Sequence, residues 1–223
     1  MNARIDHLVV AARDLEQGAA WCERTLGVAA GPGGQHALMG THNRLLRIAT
    51  VNHPRAYFEI IAIDPAAPAP QGRSRWFDLD DAKLRRHIAK EPQLVHWVVQ
   101  VPDLAAALAT WKRLGIDRGE AVTASRMTPR GLLQWQISIR PDGQRLFDGC
   151  LPTLIQWGEA HPAAGLPESG VTLQDLCVRH PRADELRRAF DAIELSVRIE
   201  EGPALLNALL QTPRNGVRLA GQG

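Results

Sequence analysis

The 223-residue chain has little cysteine: only Cys22, Cys150 and Cys177. An odd number with no two close together supports neither a disulfide framework nor a thiolate zinc site. Cys22 and Cys177 fall in apolar patterns and are expected to be buried small hydrophobes. Charge of one sign is also lacking. The 26 basic residues nearly balance 24 acidic ones, for a net charge of +2. That leaves no electrostatic footprint for DNA or RNA. No apolar run approaches the roughly 18 residues needed to span a bilayer. The first strand is expected within a few residues of Met1, too soon for a signal peptide, so a cytoplasmic location is expected. Phosphate chemistry has no loop to use, because the Gly31–Gly34 stretch "GPGG" lacks both the lysine and the helix that should follow it. No nucleophile elbow or Rossmann fingerprint occurs. What remains is an ordinary soluble composition, 45% hydrophobic and 22% charged, with enough chain for a sizeable core.

Self-comparison reveals a repeat. Placing "IDHLVVAARDLEQGAAW" over "LVHWVVQVPDLAAALATW" brings His7 onto His96, Val9 onto Val98, Asp14 onto Asp103 and Leu15 onto Leu104. Each copy reads as an apolar strand, an aspartate cap and a helix ending in Leu-Gly. Three strand-like segments follow each helix. They are "QHALMG", "NRLLRIA" and "AYFEIIAI" in the first copy, and "GEAVTASRM", "LLQWQISI" and "PTLIQWGE" in the second. The expected class is α+β: two paired βαβββ units at residues 1–64 and 93–160 forming a curled mixed sheet with a cup-shaped cavity. A Pro-rich linker at residues 65–92 carries a short helix capped by Asp80 or Asp81. Residues 170–223 read as a partial third βαββ unit. Asp175 takes the histidine position there, and "PALLNALL" is read as a short helix between two strands.

Alternate residues of a strand share a face. Ile5, His7 and Val9 point one way, with Asp6, Leu8 and Val10 opposite. Tyr57, Glu59 and Ile61 share a face of the last strand of the first unit. Both faces of that strand are apolar, so Glu59 is expected to be partly buried, at a cost on the order of several kcal/mol without a partner. Gln156 is read as its counterpart in the second unit. If the units pair about a pseudo-twofold axis, His7, Glu59, His96 and Gln156 converge. Two imidazoles and a carboxylate suit a divalent first-row metal, with Gln156 as a weak ligand or a hydrogen-bonding neighbour.

These features resemble the vicinal oxygen chelate superfamily, which includes glyoxalase I, extradiol dioxygenases and bleomycin-resistance proteins. "GGQHALMGTHNRLLRI…YFEIIAIDP" and "CLPTLIQW" are more specifically similar to its glyoxalase-like domain family. The resemblance implies a metal cup with His7, Glu59, His96 and Gln156 as ligands to zinc, nickel, manganese or iron. It also implies that His36, Thr41, Asn43 and Trp157 line the substrate cavity. A glutamate is common at the last ligand position, and Gln156 departs from that. The implied partner is a small molecule, with neither nucleic acid nor membrane involved, and a homodimer is compatible with the pattern.

Two functions stay open at this point. One is a metal-dependent enzyme of lyase, isomerase or dioxygenase type that chelates a substrate through vicinal oxygens, with Glu59 able to move a proton. The other is a binding module that sequesters a small molecule in the same cup. His7 and His96 could each be core residues instead, and His36, Thr41 and Asn43 could simply form a turn. Trp97, Trp135 and Trp157 read as core or cavity wall. His42, His53, His87, His161 and His180 read as solvated.

Overall fold

The computed structural model describes residues 2–221. The first unit runs β1 (Arg4–Ala11), α1 (Leu15–Leu26), β2 (Gly31–His36), β3 (Thr41–Arg47) and β4 (Tyr57–Ile63). After α2 (Ala82–Lys90), the second runs β5 (Gln93–Gln100), α3 (Leu104–Arg113), β6 (Glu120–Thr128), β7 (Gly131–Ile139) and β8 (Thr153–Trp157). The eight strands make one mixed sheet in the order β2-β3-β4-β1-β5-β8-β7-β6. In each unit the first strand pairs in parallel with the last, β1 with β4 and β5 with β8. The two units join where β1 runs antiparallel to β5. The repeat in the sequence is thus a pseudo-twofold in the sheet.

Both faces of the central strands are covered, which explains why they read as nearly continuous apolar runs. On the outer face Leu8, Val10, Phe58, Trp97 and Leu154 share a core with Trp21 and Leu26 of α1 and Leu104 and Trp111 of α3. On the inner face Val9, Ile61, Val98, Ile137 and Ile155 line the cup. The helix starts are as the sequence implies. Asp14 accepts from Gln17 N–H, Asp103 from Ala106 N–H and Asp81 from Leu84 N–H. Gly27 ends α1 in the left-handed conformation, at φ 73°. All three cysteines are free and buried.

Three expectations need correction. The strand expected at "QHALMG" is shifted: β2 is "GPGGQH", and Ala37–Gly40 form the hairpin turn into β3, with Gly40 at φ 56°. The tail is β9 (Thr172–Arg179), α4 (Ala183–Asp191), β10 (Arg198–Glu200), β11 (Leu205–Gln211) and β12 (Gly216–Gly221). "PALLNALL" is therefore not a helix. Leu206, Ala208 and Leu210 are buried on one face of β11, between β9 and β12, so pairing overrides the local helical preference of leucine and alanine. Although the tail opens with the expected strand and helix, it does not keep the strand order of the repeat. Its order is β10-β9-β11-β12, and β9 pairs in parallel with β10, its next strand, rather than with the last. This second sheet covers the outer face. Phe190 of α4 sits edge-on to Trp97 with ring centroids 5.6 Å apart, and Trp111 Nε1 donates to Ala189 O at 2.7 Å. Among the described residues no helix is long and apolar enough to cross a membrane.

Candidate functional site

His7 lies in the centre of the sheet on the cup face, but its neighbour is not where simple alternation puts it. The β1–β5 register slips between Ile5 and His7. This bulge turns Asp6 onto the same side as His7, as bulges re-aim side chains. Asp6 is fully enclosed and receives three donors. Its Oδ1 lies 2.6 Å from His7 Nδ1, while its Oδ2 accepts from Trp157 Nε1 and His161 Nε2, each at 2.9 Å. Burial alone would raise the pKa of this carboxyl. The hydrogen bonds from His161 and His7 outweigh it and hold the group well below the usual carboxylate range. Asp6 is therefore an ionised acceptor, which puts a proton on His7 Nδ1 and leaves Nε2 facing the cup. The Tyr57 ring stacks on the His7 imidazole with centroids 4.5 Å apart. Burial, with the charges of Asp6 and Glu59, keeps the Tyr57 phenol protonated far above neutral pH.

Glu59, two residues beyond Tyr57 on β4, puts Oε2 3.6 Å from His7 Nε2. Its Oε1 accepts from Asn43 Nδ2 at 2.5 Å. Asn43 is fixed in turn, because its Oδ1 accepts from Gly34 N–H at 2.8 Å. A Cβ at Gly33 would collide with Asn43, so β2 can lie this close only because glycine stands there. The second Nδ2 proton points at His36 Nε2, 3.2 Å away, and His36 Nδ1 lies 3.0 Å from Thr41 Oγ1. His36 is neutral in this arrangement. Burial, helped by the Arg126 charge, pushes its pKa down to about 3.

The structure thus unites His7, Glu59, His36, Thr41 and Asn43, and adds Trp157 through Asp6. It does not bring His96 and Gln156 to them. The register shows why. Val9 pairs with Glu59 and the equivalent Val98 pairs with Thr153, so Thr153 is the counterpart of Glu59. Gln156 lies on the helical face, where its Oε1 accepts from Leu104 N–H at 2.8 Å and caps α3. His96 does face inward, but its Nε2 lies 2.9 Å from Thr153 Oγ1 and 3.3 Å from Arg118 Nη2. Burial and the charges of Arg118 and Arg145 hold His96 neutral, well below its ordinary pKa. Phe77 covers its ring, with centroids 5.0 Å apart. The second half-site has therefore exchanged a carboxylate for a hydroxyl and placed a guanidinium beside it. The divalent ion implied by the resemblance does not fit this set. One expected ligand faces the wrong way, another has its lone pair engaged, and a buried cation sits where a second anion is needed. Among the described residues no group of three or more His, Cys, Asp or Glu side chains is arranged to hold a metal.

The cup has two compartments. An inner chamber of about 30 Å³ is lined by His7, His36, Asn43, Tyr57, Glu59 and Arg126, with Trp135 and Trp157 among its apolar walls. It adjoins an outer cleft of about 580 Å³ between edge strands β2 and β6, with His36, Trp76, Arg126, Trp135 and Ile137 lining both. The linker is part of the wall. Its Trp76–Asp78 turn stacks Trp76 on Phe77 and sets Trp76 edge-on to His36, and Phe77 and Asp78 adopt left-handed backbone at φ 59° and 57°. Arg145 Nε holds the turn by donating to Asp78 Oδ2 at 2.8 Å.

Sequence reasoning missed Asp6, His161, Arg126, Trp76 and Phe77 as site residues. Both His161 and His180, read as solvated, are buried. Alternation in β6 carried a usable signal for Arg126, which shares a face with Val122 and Ala124, both packed on the cup core. The bulge that re-aims Asp6 had none.

A family model for a glyoxalase-like domain matches residues 5–193. No curated protein sequence matches the chain. A hypothetical protein from Staphylococcus aureus, 14% identical, superposes with a TM-score of 0.60 over 100% of this chain and 86% of that one. A methylmalonyl-CoA epimerase variant from Streptomyces coelicolor, solved with 2-nitronate-propionyl-CoA, is 15% identical over 72% of this chain and 99% of its own, with a TM-score of 0.43. A 4-hydroxymandelate synthase mutant from Streptomyces coelicolor is 13% identical over 98% of this chain and 62% of its own, with a TM-score of 0.46. The family match takes in both halves of the sheet and the linker, and the chain belongs to the glyoxalase-like domain family.

Proposed function

We propose that this protein is an acid–base enzyme of isomerase type, which removes and returns a proton on a carbon beside a carbonyl of a small substrate. The observation that supports it is the buried chain Asp6–His7–Glu59, ending in two facing proton-transfer groups at the chamber wall. With Asp6 holding the Nδ1 proton, His7 Nε2 and Glu59 Oε2 can share at most one further proton before the pair carries positive charge. Glu59 takes the proton from carbon as general base, and the electron pair of the broken C–H bond moves onto the carbonyl oxygen. In the reactive form the shared proton sits on His7 Nε2, so His7 gives it to that oxygen while Glu59 holds the proton taken from carbon, and Asn43 keeps Glu59 aimed. His7 takes its proton back from the enol oxygen and Glu59 returns its proton to the carbon, with inversion when the planar enol has first turned its other face to Glu59; the cycle needs no co-reactant. Acid–base groups so placed contribute about a hundredfold to ten-thousandfold in rate. The reading keeps the Glu59 role expected from the sequence and gives up the metal-dependent lyase and dioxygenase forms, whose ligand set the fold does not assemble.

Polarimetry tests it. The probes are optically pure 3-methyl-2-oxopentanoate and its neutral methyl ester, whose stereocentre adjoins the carbonyl. The wild type should racemise at least one of them, and Glu59→Gln should lose about a hundredfold or more of that rate. Tight binding with no loss of optical rotation would favour the sequestering module instead, a function to which the carboxylate-free second half-site is equally suited.

A further inference from the structure

We infer that Arg126 is the anchor for a carboxylate on the substrate, and that the ligand is an amphipathic monocarboxylate whose apolar body lies in the cleft between β2 and β6. The substrate class rests on the acid–base reading of the chamber; the anion site stands on its own geometry. Arg126 projects from β6 into the wall shared by the chamber and the cleft. No carboxylate of the described residues pairs with it, and its Nη1 is buried without a hydrogen-bond partner. A guanidinium left in this state lacks the charge-assisted bonds that normally offset its desolvation. Its position is built. A Cβ at Gly34 would collide with the guanidinium, so the second glycine of the β2 pair clears the space that Arg126 fills. His36 beside it is held neutral and Asp6 is already saturated with donors, so neither consumes that charge.

The planar fork of arginine matches the two oxygens of a carboxylate. Because Arg126 and Glu59 line the same chamber of about 30 Å³, the carboxylate and the reacting carbon must lie within a few bonds of each other. The rest of the ligand has to leave through the cleft. There Met39, Trp76, Trp135 and Ile139 form apolar walls. At its rim Leu38, in the turn after β2, and Met127, on β6, are 44% and 75% exposed, apolar side chains left in water on opposite sides of the cleft. Such a rim suits an alkyl chain.

Titration calorimetry with butanoate, hexanoate and octanoate, and with hexanol and inorganic phosphate as controls, tests the inference. Carboxylates should bind, each added methylene raising affinity by about threefold to fourfold. Arg126→Gln should weaken hexanoate by about tenfold to a hundredfold and leave hexanol unchanged, with Arg126→Lys intermediate. Leu38→Gln with Met127→Gln should flatten the dependence on chain length. Unaltered melting temperatures show that the variants fold. Hexanol binding as tightly as hexanoate, an Arg126→Gln variant with unchanged hexanoate affinity, or phosphate outcompeting hexanoate would each overturn the inference. The two readings fail separately. Carboxylates that bind through Arg126 but are never racemised leave the anchor intact and sink the enzyme. Racemisation of the neutral ester as fast as of the acid, unchanged in Arg126→Gln, sinks the anchor and leaves the enzyme.

Discussion

Asp6 takes donors from residues far apart in the chain, His7 on its own strand, Trp157 at the end of β8 and His161 just beyond it. It therefore ties the two halves of the repeat together at the site. Asp6→Asn substitutes an amide for the carboxylate that accepts all three of these bonds, so at least one donor faces an NH₂ group. The expected result is a loss of about 1–3 kcal/mol in denaturant unfolding, together with a fall in any turnover because His7 is free to flip. The histidines add a pH dependence of definite sign. His36 is held down at about 3 and His96 well below its ordinary value, so both charge more readily in the unfolded chain. Stability is therefore full above the ordinary histidine value near 6.5 and falls as the pH drops from there toward 3. Asp6, also depressed, adds to the loss further into acid. Thermal melting from pH 7 to pH 4 should show a steady decline, shallower in His36→Gln, and a flat profile would contradict the neutral assignment of these rings.

At the scale of elements, the strands bearing the site follow simple rules and the departures have local causes. β1, β4 and β5 were legible because buried strands of a mixed sheet are almost wholly apolar, which makes His7, Glu59 and His96 conspicuous. The caps Asp14 and Asp103 were legible because an aspartate before an amphipathic run has one common use. The bulge at Asp6 was not, since one slipped residue leaves no mark on composition. Gln156 was misplaced because β8 is only five residues long, too short for alternation to fix its register. The position three residues earlier, Thr153, is the true partner of Val98. This gives Gln156 a different test. Gln156→Ala should remove the acceptor for Leu104 N–H and lower stability by about 1 kcal/mol, with the chamber and its ligand affinity unchanged. Gly34→Ala should do the reverse, displacing Arg126 and weakening carboxylate binding while costing little in a half-exposed edge strand.

Over the whole molecule, the repeat could be read from the sequence because both units must bury the same faces, whereas the use made of each unit could not. Divergence lies in single residues. Where the first unit presents His7 and Glu59, the second presents His96 and Thr153 with Arg118 behind them. The tail was half legible for a related reason. Its strand–helix opening obeys the same pattern as the repeat, but its strand order depends on covering Trp97 and Trp111 from outside, a tertiary demand invisible in "PALLNALL". The asymmetry places the candidate site on the first unit, closed by Trp157 and Arg126 from the second and by His161 just beyond it. On the function proposed above, this site moves protons on carbon with its own side chains. The direct measurement is proton NMR of 2-oxohexanoate in deuterated water, with protein freed of metal by a chelator. The account predicts that the signal of the protons beside the carbonyl decays faster with the wild type than in buffer, and that Glu59→Gln, still folded and still binding, shows the buffer rate. Decay at the buffer rate with the chelated wild type, restored on adding a divalent ion, would contradict it.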